Sequence, residues 1–169
     1  MWGILVVLVV GVVLSGVVYV MGAMLPVEHH AVREATFRAG RERVFALIAG
    51  PQDWRVACEA VATRPGEARR WREGEGRRRI LFEEVAREEP GMYGTRIADE
   101  TLPFSWSWRF ELMEVTEGTR VRITEDGAVR SPVFRFVSHY VMGETRTMDG
   151  YLRALGGKLG ERAGEAGPS

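Results

Sequence analysis

Residues 104–115 read FSWSWRFELMEV and carry the most regular pattern in this 169-residue chain. Large apolar side chains occupy every second position, and polar or smaller ones fill the positions between them. Because successive side chains of a β-strand point to opposite faces, this period of two predicts a strand with one aromatic face. The apolar members are Phe104, Trp106, Trp108, Phe110 and Leu112.

Shorter stretches on both sides of this strand have the same character and are separated by glycine, proline and acidic turns. A short amphipathic helix is predicted over residues 40–49, ending at Gly50-Pro51. The additional strands are predicted at residues 31–38, 56–63, 68–73, 77–87, 92–99 and 119–128. Strands in one run, with the helices outside it, indicate an α+β domain with an antiparallel sheet.

The period changes after residue 131, where apolar side chains recur every three or four positions. Ser131-Pro132 provides an N-cap and a first-turn proline. We therefore predict one long C-terminal helix of roughly 25 to 30 residues. Its buried face comprises Phe134, Val137, Val141, Thr145, Met148, Leu152, Leu155 and Leu159. An apolar helix of this length needs a curved sheet to wrap around it, and we expect a cavity between the two.

The first part of the chain is different, because residues 2–25 contain no charged side chain. As a helix they would measure about 36 Å, enough to cross a hydrocarbon core of ~30 Å. This predicts a transmembrane anchor over residues 1–25 and a single-pass membrane protein. The alternative is a cleaved signal peptide. Two features argue against it: no basic residue precedes the apolar run, and no A-x-A cleavage site follows it.

The anchor predicts an orientation and leaves one folded domain. Arg33, Arg38, Arg41 and Arg43 follow the apolar segment, and the positive-inside rule then places the domain in the cytoplasm. The domain is expected over residues 26–162. The tail at 163–169 contains only Gly, Ala, Glu, Pro and Ser, and we expect it to be disordered.

Composition excludes several functions. Lys+Arg and Asp+Glu both number 23, so there is no basic surplus for nucleic acid. Cys58 is the single cysteine, which rules out an internal disulfide. We find no Cys/His spacing for a metal and no nucleotide-binding motif, and we predict no cofactor. The composition makes no prediction of the oligomeric state.

Several stretches, in this order, resemble the SRPBCC superfamily, also described as START-like, Bet v 1-like or polyketide cyclase/dehydrase proteins. They are the helical motif at 39–48, the Trp54 that follows it, Trp108 to Leu112, Gly118-Thr119, and Thr124 to Gly127. The closing helix matches too, so the resemblance covers about residues 26–162. It implies a helix-grip fold, with a curved sheet of six to seven strands around the C-terminal helix.

The same resemblance implies a cavity for a hydrophobic small molecule or lipid. The candidate lining residues are Trp71, Phe82, Glu84, Tyr93, Trp106, Trp108, Phe110, Val137, Tyr140 and Val141. Large rings also fill ordinary cores, so each residue has a purely structural interpretation. The leading prediction is a non-enzymatic binding module, with no catalytic residue assigned.

Two alternatives remain open. A cyclase/dehydrase-type enzyme would need a polar side chain that lines the cavity, and Glu84, Tyr93, Arg109 and His139 are the positions to inspect. A domain with a closed core would act through its surface as an interaction module.

Overall fold

A computed structural model describes residues 2–52, 54–76, 79–142, 146–161 and 164–165, and for residues 141, 142, 164 and 165 it describes the backbone alone. Seven strands and one very short one form a single antiparallel sheet in the order β2-β3-β4-β5-β6-β7-β1-β8. The strands are β1 (Glu28–Phe37), β2 (Cys58–Val61), β3 (Arg70–Glu73), β4 (Ile80–Glu88), β5 (Met92–Ile97), β6 (Phe104–Val115), β7 (Gly118–Val129) and β8 (Gly164–Glu165).

The predicted aromatic strand is β6, at the bounds expected from its alternation. It pairs with β7 along its whole length, from Phe104 opposite Val129 to Val115 opposite Gly118. β1 then closes on the other side of β7, so the first and the seventh strand are neighbours. This arrangement confirms the predicted α+β helix-grip architecture with about seven antiparallel strands.

The core lies between the concave face of the sheet and two helices, α2 (Arg41–Ala49) and α4 (Arg146–Leu159). Burying each large aliphatic or aromatic side chain contributes about 1.5–3 kcal/mol, and this cluster supplies most of the domain's apolar burial. The sheet contributes Phe37, Tyr93, Phe110, Leu112, Val121 and Ile123. The helices contribute Val44, Phe45, Ile48, Met148, Tyr151, Leu152, Leu155 and Leu159.

The long C-terminal helix differs from the prediction. The described residues form a short α-helix α3 (Pro132–Val137), a π-helical turn (Ser138–Met142) and then α4. Of these three helical pieces, α4 is the one that packs against the sheet with a fully buried face. α3 instead packs against the end of the N-terminal helix, with Pro132 and Phe136 next to Gly22.

The N-terminal helix α1 (Trp2–Met24) is apolar throughout, and it is long enough to cross a bilayer, although a signal sequence meets the same criteria. The end of α1 packs against α3, and at Gly22 a Cβ atom would overlap the carbonyl of Pro132. At the other end of the chain, Gly164–Glu165 pair with Ala35 and Thr36 of β1. This part of the predicted disordered tail is thus a short strand, because β1 leaves backbone groups free at the sheet edge. Residues 163 and 166–169 lie outside the described residues.

Candidate functional site

A cavity of ≈ 80 Å³ opens on the concave face of the sheet, beside the core and below the loop that follows α2. Its walls combine five aromatic rings with a smaller polar group. The aromatic residues are Trp71, Phe82, Trp106, Trp108 and Phe110, and the polar ones are Gln52, Arg55, Glu73 and Thr95.

The strand registers bring the rings together. Trp71 of β3 lies opposite Phe82 of β4, and the two rings stack at a centroid distance of 6.0 Å. Trp108 and Phe110 follow each other on the inner face of β6, with their rings 5.8 Å apart. The alternation recognised in the sequence therefore builds one wall, and β3 and β4 build the facing one.

The polar side of the cavity is organised around an ion pair between Arg55 and Glu73, with Arg55 Nη2 2.7 Å from Glu73 Oε2. The indole nitrogen of Trp71 donates to the other carboxylate oxygen of Glu73 at 2.8 Å. The guanidinium also lies over the ring of Tyr151, 5.1 Å from its centroid. Since the two charges balance each other, the polar side of the cavity has no net charge.

Three buried donors in and next to this polar group make no hydrogen bond within the described residues. They are Trp54 Nε1, Arg55 Nε and the hydroxyl of Tyr151. The Tyr151 hydroxyl lies near Gln52 without making a hydrogen bond of good geometry. Burial raises the pKa of Tyr151 far above its ordinary value, so this hydroxyl keeps its proton and remains a donor. Unpaired buried donors are costly. Trp54 and Tyr151 pack beside Arg55 and are not among the lining residues, so their donors belong to the core next to the cavity.

A second polar group lies behind the Trp108 wall. Glu125 of β7 is buried, with a relative exposure of 5%, and it accepts a hydrogen bond from the indole nitrogen of Trp108. His29 of β1 places its Nε2 3.0 Å from the other carboxylate oxygen of Glu125. The His29 ring lies directly on Gly127, where a side chain would collide with it. This carboxylate therefore fixes the orientation of a cavity wall.

The structure brings five of the ten predicted lining residues to the cavity, namely its five aromatic residues. Tyr93 lies on the same inner face but belongs to the core, whereas Glu84 is half-buried and pairs with Arg87 at 3.6 Å. Burial, and next the Glu84 carboxylate, raise the pKa of Tyr93 well above its ordinary value.

The remaining predicted positions are elsewhere. Val137 is half-buried on α3, Tyr140 is 54% exposed on the π-helical turn, and neither lines the cavity. The side chain of Val141 lies outside the described residues. Arg109 and His139, which were the positions to inspect for catalysis, are exposed.

Four polar lining residues were missed by the sequence analysis. Glu73 could have been found, because it is two positions after Trp71 on the same strand and so shares its face. Arg55 and Gln52 lie in a loop without periodicity, which gives no signal. Among the described residues, no group of three or more His, Cys, Asp or Glu side chains is placed to hold a metal ion.

Comparison with known proteins identifies the fold. No family model matches the sequence, and no curated protein matches it either. Solved structures do match. Norcoclaurine synthase from Thalictrum flavum superposes with a TM-score of 0.60 at 10% identity, covering 80% of this chain and 88% of that one. Protein MLL2253 from Mesorhizobium loti gives 0.59 at 15% identity, with 78% and 97% covered. Protein TTHA0849 from Thermus thermophilus gives 0.57 at 23% identity, with 76% and 93% covered.

These structures share the Bet v 1-like helix-grip architecture, and the chain therefore has the fold that its motifs indicated. At identities this low the likeness concerns the fold and does not assign an activity.

Proposed function

We propose that this chain is a membrane-anchored binding protein that holds a hydrophobic small molecule or lipid between its sheet and helix α4. The observation that carries the proposal is the cavity, whose aromatic walls meet a small set of convergent polar groups. This combination is typical of sites for small apolar ligands. The apolar helix α1 supports the anchor, which would keep the cavity close to the bilayer where such ligands partition.

The polar side of the cavity narrows the class of ligand. The charge of Arg55 is balanced by Glu73, so a carboxylate or phosphate inside the cavity would find no uncompensated cation. The other polar lining residues, Gln52 and Thr95, are neutral and suit a neutral hydrogen-bonding group on the ligand, such as a carbonyl or hydroxyl oxygen. We therefore expect an apolar molecule with one neutral polar group.

The size of the cavity adds a further expectation. At ≈ 80 Å³ it is well below the ~300–1,000 Å³ of typical ligand pockets. A ligand must therefore displace some of the rings, and we expect the half-buried Trp106 to move, because Glu125 holds Trp108 in place. Binding should accordingly order or shift tryptophan side chains.

The test is to purify the full chain from membranes in mild detergent, extract it with organic solvent and identify the molecules released by mass spectrometry. Thr95 lies on the inner face opposite Trp108, and Thr95→Leu would place extra methyl groups in the cavity. Thr124→Leu, opposite Arg109 on the other face of the sheet, is the matched control.

We expect a defined apolar molecule with the wild-type chain and with Thr124→Leu, and a strong reduction with Thr95→Leu. An empty wild-type protein that also binds no apolar fluorescent probe would contradict the carrier proposal. It would leave the surface-acting interaction module, with a closed core, as the better account.

An enzyme of the cyclase/dehydrase type is the second candidate. The specific observation in its favour is Glu73, a carboxylate with 13% side-chain exposure that faces the cavity and could transfer a proton. Conversion of the extracted molecule by the wild-type chain, but not by Glu73→Gln, would support the enzyme. Recovery of the molecule unchanged supports the carrier.

A further inference from the structure

Arg135 on helix α3 is a buried arginine that has no counter-ion among the described residues. Its side chain and backbone together are 9% exposed, and its Nε is enclosed without a hydrogen-bond partner. Within the described residues, no carboxylate lies within ion-pair distance of it. Burying a charge without a partner is costly, so this guanidinium favours an anion that the described part of the chain does not supply.

The position of Arg135 indicates where that anion would come from. The next residue, Phe136, and the preceding Pro132 pack against Gly22 of α1, where a Cβ atom would lie 3.3 Å from Phe136 Cβ. Gly22 is two residues, or about 3 Å, before the end of α1 at Met24. The 23 residues of α1 measure about 35 Å, slightly more than a hydrocarbon core of ~30 Å. In an anchored chain, Arg135 thus lies at the depth of the lipid headgroups.

The surface around Arg135 has the composition of a membrane interface. Val133 is 47% exposed, Phe134 36% and Tyr140 54%, all within α3 and the π-helical turn. Large apolar and aromatic side chains at the end of an apolar helix are favoured at the boundary between acyl chains and headgroups. Apolar exposure and a buried cation therefore occur on one short segment, beside the anchor.

We propose that Arg135 binds the phosphodiester of an anionic membrane lipid while Val133, Phe134 and Tyr140 enter the interface around it. The planar guanidinium can donate two parallel hydrogen bonds to phosphate oxygens, which a lysine cannot do. This inference rests on the proposed anchoring by α1, and it is independent of the molecule bound in the cavity.

The experiment uses the full chain reconstituted in nanodiscs of phosphatidylcholine containing a minor fraction of phosphatidylglycerol. Native mass spectrometry then measures which lipids remain bound after release. We expect phosphatidylglycerol to be enriched about tenfold or more over its share in the disc, as a charge-assisted hydrogen bond implies. Arg135→Gln should remove the enrichment. Arg130→Gln, an exposed arginine on the same segment, should reduce it by no more than about fivefold.

A second measurement needs no variant. The Nε–H resonance of Arg135 should move when phosphatidylglycerol replaces phosphatidylcholine in the disc, and it should remain in place when millimolar glycerol 3-phosphate is added to phosphatidylcholine discs. An equal response to the soluble phosphate would overturn the lipid assignment. So would equal losses of enrichment in Arg135→Gln and Arg130→Gln, because diffuse charge would then explain the effect.

The two proposals fail separately. If Arg135→Gln loses the lipid but retains the extractable apolar molecule, the headgroup site and the cavity are distinct, as expected. If the chain is recovered from the soluble fraction of cells and not from membranes, α1 is no anchor and the lipid proposal is overturned, whereas the cavity can still be tested by extracting the soluble protein.

Discussion

Removing the buried carboxylate of Glu125 should destabilise the domain through Trp108. The carboxylate accepts from the Trp108 indole nitrogen and lies 3.0 Å from His29 Nε2. In Glu125→Ala a buried indole N–H loses its acceptor, which costs about 1–3 kcal/mol. For a chain of this length, each kcal/mol lowers the melting temperature by about 2–4 °C, so we expect a decrease between about 2 and 12 °C.

The neighbouring residues provide a matched control. His30 and Asp126 lie on the same two strands, one position further along each, and pair at 2.7 Å on the opposite face. Their side chains are 62% and 65% exposed, and an exposed pair of this kind contributes about 0–1 kcal/mol. Asp126→Ala should therefore be close to neutral. The two substitutions differ mainly in the face of the sheet on which they fall.

The assay is thermal unfolding of the full chain in detergent, followed by near-ultraviolet circular dichroism, in a cycle with Trp108→Phe. When the indole donor is already absent, Glu125→Ala should cost less, with a coupling of about 0.5–3 kcal/mol. The reasoning would be refuted if Asp126→Ala destabilised the protein as much as Glu125→Ala, or if the cycle were additive.

Three other expectations concern the buried carboxylate of Glu83, the contact between α1 and α3, and the core residue Tyr151. Burial raises the pKa of the Glu83 carboxyl, but hydrogen bonds and charge from Arg96 and Arg70 outweigh burial and hold this pKa below its ordinary value of 4.5. The wild type should therefore be more stable than Glu83→Gln above pH 4.5, and this difference should disappear as the pH falls below 4.5. Denaturant unfolding at several pH values checks this, and a constant difference would contradict it. Gly22→Val should lower the free energy of unfolding by about 1–3 kcal/mol through overpacking against α3, whereas Gly16→Val, with open space around it, should not; equal effects would exclude the packing argument. Tyr151→Phe should leave stability unchanged or raise it by up to about 1 kcal/mol, because its buried hydroxyl is unpaired, and a clear loss of stability would show that the hydroxyl is satisfied.

Strand character was predictable where one face is buried and the other is not. The alternation over residues 104–115 gave β6 its full length, because burial on one face of a long strand forces the pattern. Short strands were less well bounded. β2 was expected over residues 56–63 and is Cys58–Val61, because its length is set by pairing with the four residues of β3. β1 begins earlier than predicted, since β7 extends far enough to pair with Glu28.

Apolar periodicity predicts that a helix face is covered but does not identify what covers it. The spacing that includes Phe134 and Val137 predicts one continuous helix against the sheet. α3 packs mainly against α1, although the Phe134 ring lies 5.4 Å from that of Phe104 on β6. For this reason the candidate list extended to Val137 and Tyr140, away from the cavity. A signal for Glu125 was present and unused: with Val121 and Ile123 inward, the same alternation turns Glu125 inward as well.

Polar contacts between distant positions could not be predicted from the sequence. Arg55 and Glu73 are separated by 18 positions and meet only because β3 returns beside the loop after α2. Their charges look like ordinary surface charges in the sequence. The neutrality of the cavity's polar side, on which the proposed ligand class depends, is therefore a property of the tertiary structure.

The connection between α1 and β1 consists of residues 25–27 alone. Fully extended, three residues reach only about 10 Å. An anchored domain would therefore lie directly on one surface of the bilayer, with little freedom to tilt or to move away from it. The bound ligand would then be exchanged with partner proteins in the same membrane, by lateral diffusion, and only with partners whose binding sites lie at the same distance from the bilayer. Lengthening this connection with flexible residues should slow such transfer while leaving affinity for the cargo intact.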